Sequence, residues 1–399
     1  MKPTLGWTML SREEMRQAEK LTSGDQDTRD EIGFLLIHQG FADRFFPGTS
    51  VLHTRVRYAL FVPWLFEHAA KNKPRGSDLG AAIRRDMIRL AIRLKKRERY
   101  DVIGGDVLGR LSSQPPDQVY WTALRQWGIL LSGINTRSES LRRLQASLRK
   151  APLDDDGGNL DEDATEVFSS LPKPPSGWDN PDSELDFKMS SKEQDYLRRK
   201  LGLLTRPGDK APALLAKLAE GRGYYPSPET SLPRELDSHA DADDKPALRI
   251  ARDAAELSAI GRAVYGALVE HLRTEDGKKD DGIFRAALRS HFDKYEAGAS
   301  RCDLEALKVL LPTIPPYVND VLAQTQAYVR DGKPEAFLKL RARYQYSEVM
   351  RKTGRARLAN TLKAVQRRNE WEPGRHNITP LHYRWSVVRK MLNDLSGQS

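Results

Sequence analysis

The 399-residue chain has a single cysteine, Cys302, which excludes an intrachain disulfide framework and a cysteine-rich zinc site. Long apolar runs are missing too. The longest, Tyr58–Phe66, is broken by Pro63 and falls far short of the roughly 18 residues a membrane span needs. The opening MKPTLGWTMLSREEM lacks an apolar h-region, so no secretory signal is expected. There is no GxxxxGK[ST] loop, no HExxH, no GxSxG and no HxK pairing of the phospholipase-D kind. The eight histidines show no i, i+4 ligand spacing. These absences point to a cytoplasmic, bacterial-type protein that meets no membrane, and they assign no catalytic residue, no metal ligand and no cofactor.

What the chain has is charge, and in blocks. Sixty-five Lys and Arg against 55 Asp and Glu leave a formal charge of +10, which makes a polyanionic partner reasonable. Residues 81–150 hold 15 basic and 6 acidic side chains; residues 151–190 hold 2 and 11; residues 341–399 hold 13 and 4. Two basic regions flank an acidic one. The acidic stretch is also rich in Gly and Pro, with little apolar surface to offset its ordering entropy. This predicts three parts: a basic N-terminal helical domain over 1–150, a poorly ordered tether over 151–185 and a C-terminal helical domain over 186–399 with a basic end.

Helical periodicity dominates. Ile83, Met87, Leu90, Ala91 and Leu94 make one apolar stripe, with Arg84, Arg85, Arg89, Arg93 and Lys96 elsewhere around the same helix. Ser190 and Glu193 stand at capping-box distance. Similar patterns recur over 212–220, 247–273, 282–297, 304–311, 317–330 and 334–352. Strand signals are confined to Val102-Ile103 and Ile129–Leu131. The fold class is mainly α, multi-helical, with few short strands. Residues 100–131 have the order of a winged-helix-like unit: Pro115-Pro116-Asp117 starts a helix, Gly128 stops it, and a short strand follows. Any short helix ending in glycine would show the same signs.

Three regions offer nucleic-acid contacts. In 40–64, Pro47–Ser50 reads as a turn capping a helix that carries Arg55 and Arg57; the competing reading pairs these arginines with Asp43 or Glu67. In the winged-helix-like unit, Arg110, Arg125 and Arg137 would meet phosphates. At the C-terminal end, Arg351, Lys352, Arg355, Arg357 and Arg384 are interleaved with Trp371, Tyr383 and Trp385, charge for phosphates and rings for stacking. The bland reading makes those rings the apolar side of a terminal helix and the charges a solvated face. Asp276-Gly-Lys278 and Asp331-Gly-Lys333 echo the last element of a restriction-type nuclease site, but both belong to polar turns without a strand. Cys302 beside Arg301, with no histidine near in sequence, reads as a buried thiol.

Gly6-Trp7, FADRFFPGTSVLHTRVRYALFVPW (41–64), VYWTALRQWGI (119–129), the Gly354–Asn360 pattern and HYRWSVVRKMLNDL (382–395) resemble an uncharacterised bacterial family over nearly the whole chain. Genes of that family sit in phage-defence islands beside helicases, methyltransferases and phospholipase-D-like nucleases. The resemblance implies an accessory subunit of a defence or DNA-modification system and transfers no catalytic residue; the acidic insert at 151–166 departs from it. The leading expectation is a non-catalytic protein that binds double-stranded DNA. The alternatives are a scaffold for a helicase, ATPase or nuclease partner, and an unrecognised metal-dependent nuclease.

Overall fold

A computed structural model describes residues 31–72, 78–134, 136–149, 166–221, 223–226, 232–279 and 281–397. The α-helices in these residues are α1 (Phe34–Phe45), α2 (Tyr58–Asn72), α3 (Leu79–Lys95), α4 (Pro116–Gln126), α5 (Arg137–Arg149), α6 (Ser191–Gly202) and α7 (Leu214–Glu220). They continue with α8 (Asp244–Glu275), α9 (Ile283–Arg301), α10 (Leu304–Leu310), α11 (Pro316–Arg330), α12 (Arg341–Lys352), α13 (Leu362–Asn369) and α14 (Trp385–Ser396). The chain is mainly α. Pairing of β type among the described residues is limited to isolated bridges, Leu130 with Phe168 and Thr205 with Pro212. No helix among the described residues is long and apolar enough to cross a membrane.

The chain packs into two units, each discontinuous in sequence: Met1–Gln39 with Ala247–Leu381, and Gly40–Pro246 with His382–Ser399. That division differs from the expected 1–150, 151–185 and 186–399. The reason is that long-range pairs, such as Arg55 with Asp394, outweigh the compositional breaks along the chain.

In the unit built on 40–246, α2 is buried nearly all round, and α3 packs on it through Ile83, Met87, Leu90 and Leu94. Residues 50–57 are turns, so the helix expected after Ser50 starts only at Tyr58. The cause is side-chain capture of that backbone. His53 accepts from the Ser50 N–H, Tyr120 Oη accepts from Thr54, and Asp394 accepts from Val56. The winged-helix-like reading is not met: 100–115 form turns with no first helix, and α4 turns Val119, Tyr120, Ala123 and Leu124 into the core. Val102-Ile103 form no strand, and Leu130 contributes only its single bridge.

Of the expected tether, 151–165 lie outside the described residues, whereas 166–185 are built into this unit. Trp178 stacks on Phe61 with ring centroids 5.9 Å apart, and Trp64 donates to the Pro172 carbonyl. The buried guanidinium of Arg93 donates to the Gly177, Trp178 and Ser183 carbonyls at 2.7, 2.9 and 3.0 Å. A segment poor in apolar residues is ordered here because nearly all it has are buried, and because one cation satisfies three of its carbonyls. The capping box of α6 forms as expected between Ser190 and Glu193.

In the unit built on 247–381, α8 buries alanine, valine and leucine around most of its circumference. Gly261 is needed there by close approach: a Cβ would lie 2.4 Å from the Phe34 ring. Tyr344 hydrogen bonds Thr325 at 2.7 Å, and Gln326 donates to the Ala299 and Cys302 carbonyls. Cys302 is buried, which pushes its thiol up to about 12.

Burial pushes His53, which contacts the Val119 carbonyl and stacks on Tyr120, down to about 4. His376, against the Arg262 carbonyl, is likewise pushed down to about 4. The unfolded chain protonates these rings near 6.5 and the folded one only near 4, so stability falls as pH drops across that window. Each ring should contribute a loss of about 3 kcal/mol. Urea unfolding at pH 7.5, 5.5 and 4.5 measures it, and His53→Gln should flatten the dependence by one ring's share.

Candidate nucleic-acid interface

The ten basic residues singled out from the sequence meet different fates. Arg55 is clamped by Asp394, with Nε 2.8 and 3.0 Å from the two carboxylate oxygens, and its guanidinium lies over Phe187. Burial alone would lower the Arg55 pKa, but the Asp394 hydrogen bonds and charge hold it above its ordinary value. Burial raises the Asp394 carboxyl, partly offset by Arg55. Arg57 is buried between Glu193 at 2.8 Å and Asp186 at 3.2 Å. Neither arginine pairs with Asp43 or Glu67; Asp43 holds Arg384 at 2.7 Å instead. Arg137 pairs with Asp117 at 2.8 Å.

The C-terminal cluster is split in the same way. Arg357 donates to Glu31 at 3.0 Å, and Lys352 pairs with the same carboxylate. Arg351 lays its stem beside Gly33. Glu348, the acid nearest in sequence, is fully buried and occupied by the Tyr265 hydroxyl and the Leu358 N–H. Trp371, Tyr383 and Trp385 are buried and offer no open ring for stacking. Asp276 of the first nuclease-like triplet is gripped by Arg368 at 2.6 and 2.9 Å. Arg110, Arg125 and Arg355 remain: all are exposed and have no ion-pair partner among the described residues.

A basic face that the sequence displayed, but that was not singled out as a site, lies on α3. Arg85, Arg89 and Lys96 are exposed and, at 100° per residue, fall within about 40° of one another. They run over about 16 Å of helix. Arg85 has no acidic partner among the described residues; Arg89 meets Asp86 at 3.4 Å; the Lys96 ammonium donates to the Asp182 carbonyl. Arg93, about 60° from the middle of that face, is the residue turned inward to residues 177–183. In sequence all four are basic positions of one helix, and only the packing separates the binding candidates from the structural one. Arg97 is neutralised by Glu184 and Asp186, so part of the acidic block folds onto the basic one.

The geometry offers three exposed cations along about 16 Å of one helix face. Among the described residues no His, Cys, Asp and Glu side chains gather as a metal ion requires. A family model described as a family of unknown function (DUF6361) matches residues 2–224, slightly over half the chain. Gly354–Asn360 and 382–395, which contributed to the resemblance seen in the sequence, fall beyond that match. No curated protein and no solved structure matches the chain.

The ion pairs predict a sharp split among arginine-to-alanine variants. Arg57→Ala strands the buried Glu193 carboxylate and should cost about 3 kcal/mol or more in urea unfolding, whereas Arg357→Ala leaves Glu31 paired with Lys352 and should cost less, about 1–2 kcal/mol. Arg110→Ala, Arg125→Ala and Arg355→Ala should stay within about 0.5 kcal/mol of the parent. A double change at Arg355 and Arg357, harmless on the sequence reading, should destabilise through Arg357.

Proposed function

We propose that this chain, which belongs to that family of unknown function, is a non-catalytic accessory protein that binds double-stranded DNA in a bacterial anti-phage defence or DNA-modification system. The observation that carries the reading is the exposed α3 face of Arg85, Arg89 and Lys96. Its length of about 16 Å corresponds to roughly five base-pair rises along the duplex axis at about 3.4 Å each. On a rigid helix the backbone of these cations is already ordered, so only their side chains lose freedom on meeting a phosphate row. Contacts of this kind position a protein on the duplex and carry no base information, so binding has little sequence preference. Arg110 and Arg125, exposed in the same unit, add to the footprint. The defence context rests on the sequence resemblance alone.

A second reading, a protein-binding scaffold for a helicase, ATPase or nuclease partner, is favoured by one feature of the other unit. Tyr346, Val349 and Met350 stand exposed on α12 at helical spacing, and Leu362 on α13 is 91% exposed. Arg355 and Lys363 lie in the neighbouring turn and helix. Salt separates the two readings, because counterion release gives a log–log slope of about −0.9 per phosphate contact.

A mobility-shift titration of a short duplex should show binding near micromolar protein at roughly 50 mM salt. Replacing Arg85, Arg89 and Lys96 by alanine should reduce the salt slope by about 2–3 units and leave the unfolding midpoint nearly unchanged. No shift by the parent protein, or an unaltered slope in the triple variant, overturns the assignment.

A further inference from the structure

We infer that the turns joining α3 to α4 carry a minor-groove wedge: Leu108 enters the duplex between base pairs and kinks it, while the α3 cations hold the neighbouring phosphates. The inference rests on the duplex-binding reading of α3. It adds a contact to the base stack and a change in the shape of the DNA.

The first observation is where apolar side chains stand open. Five of the eight large apolar side chains left exposed among the described residues of the unit built on 40–246 lie within 92–111: Ile92, Tyr100, Val107, Leu108 and Leu111. A single exposed leucine needs no explanation, whereas a cluster of this kind marks a contact surface.

The second is how the tip is held. Residues 102–105, 104–107 and 107–110 close three successive turns, with N–H to carbonyl distances of 3.0, 3.1 and 3.0 Å. The last has Gly109 in its third position at φ +83°, as a type II turn requires, and Leu108 at the corner before it. Proline and polar residues dominate turns, yet this corner holds a leucine that is 49% exposed. The turns are fastened to the core, because the Ile103 N–H donates at 2.9 Å to the hydroxyl of the fully buried Tyr58. An already ordered backbone spares that part of the entropy cost of insertion.

The third is position. A Cβ on Gly105 would lie 3.4 Å from Lys95 Cδ, and Leu111 shares a hollow with Gly80 and Arg84. Residues 105–111 therefore run back along one flank of α3, from its last turn to its first, beside the row of Arg85, Arg89 and Lys96. Ile92 projects within that row, about 20° from Arg85 at 100° per residue. An apolar strip beside a cationic row is the division of labour in minor-groove wedges, where basic side chains read the groove and its edges while leucine or isoleucine parts a base step. Arg110, next to the tip, is exposed and has no ion-pair partner among the described residues. Of the acids on these turns, Asp101 is engaged by Lys390, and the exposed Asp106 opposes a phosphate. A protein partner would need an acidic face and an apolar one side by side; a duplex supplies phosphates and base faces in one ligand.

A duplex of about 20 base pairs with a fluorophore at each end reads the kink by energy transfer, alongside the mobility shift that reads binding. In the complex its ends should approach as a kink of about 20–90° requires. A central mismatch should tighten binding about tenfold, because part of the stacking the wedge must break is already lost. Leu108→Ser should abolish both the kink and the mismatch preference while keeping the salt slope and the urea midpoint. Leu108→Met should keep the kink, and Asp106→Asn should tighten binding about two- to fivefold. The Arg85, Arg89 and Lys96 triple variant should do the reverse of Leu108→Ser, lowering the salt slope with the duplex still kinked at saturating protein. A parent protein that binds the duplex but leaves it straight overturns the wedge and leaves the α3 reading standing; one that binds no duplex overturns both. A kink that survives in folded Leu108→Ser overturns the assignment to this turn. Self-association of the parent that Leu108→Ser abolishes while the kink persists makes the strip an interface between copies, and overturns the proposal as well.

Discussion

Asp394 grips the Arg55 guanidinium and the Val56 N–H together, across 339 positions of sequence. That contact brings the last helix back to the turns that precede α2. It is repeated in kind by Arg57 between Glu193 and Asp186, and by Arg93 beneath residues 177–183. Buried pairs of this sort add little net stability once desolvation is counted. What they supply is closure: each satisfies backbone or carboxylate groups that would otherwise be buried without a partner. Residues 382–397 join the unit built on 40–246 through this contact and through the buried Trp385, Val388, Met391 and Leu392.

The same pairs change what the net charge means. A formal +10 suggests a basic surface, yet much of the arginine content is spent inside the fold. Arg206 illustrates the extreme, nearly buried among Asp209, Asp241, Asp243 and Asp244, with Lys217 sharing two of those carboxylates. The burial of Arg206 opposes its charge, but the aspartates raise its pKa above the ordinary value. The cations left for a partner are fewer and more local than the block counts indicate. Of the ten positions read as phosphate contacts, Arg110, Arg125 and Arg355 stay open, and the α3 face adds Arg85, Arg89 and Lys96.

Separation of roles along a single helix is the clearest consequence. On α3 the apolar stripe faces the core, Arg93 fastens residues 177–183, and Arg85, Arg89 and Lys96 face solvent. At the start of that helix Arg84 meets Asp78, whose carboxylate caps the helix at Gly80 and Ala81. One rigid element thus serves packing, chain closure and surface charge, and substitutions only one residue apart, at Arg84 and Arg85, touch different features.

Local structure is legible along the chain: the α class, the α6 capping box, the stripe of α3 and most helices from α8 to α12. These follow from contacts three or four residues apart, which a linear reading contains. The line of sequence also held every residue of the α3 face, although not the fact that Arg93 alone turns inward. Tertiary structure decided the rest. The partners of Arg55, Arg57 and Arg357 lie 339, 136 and 326 positions away. No composition or period encodes such pairings, so residues read as open phosphate contacts became the fold's own counter-ions. The segment 166–185 was misread for the same reason: its order comes from Phe61, Trp64 and Arg93, none of them its own residues.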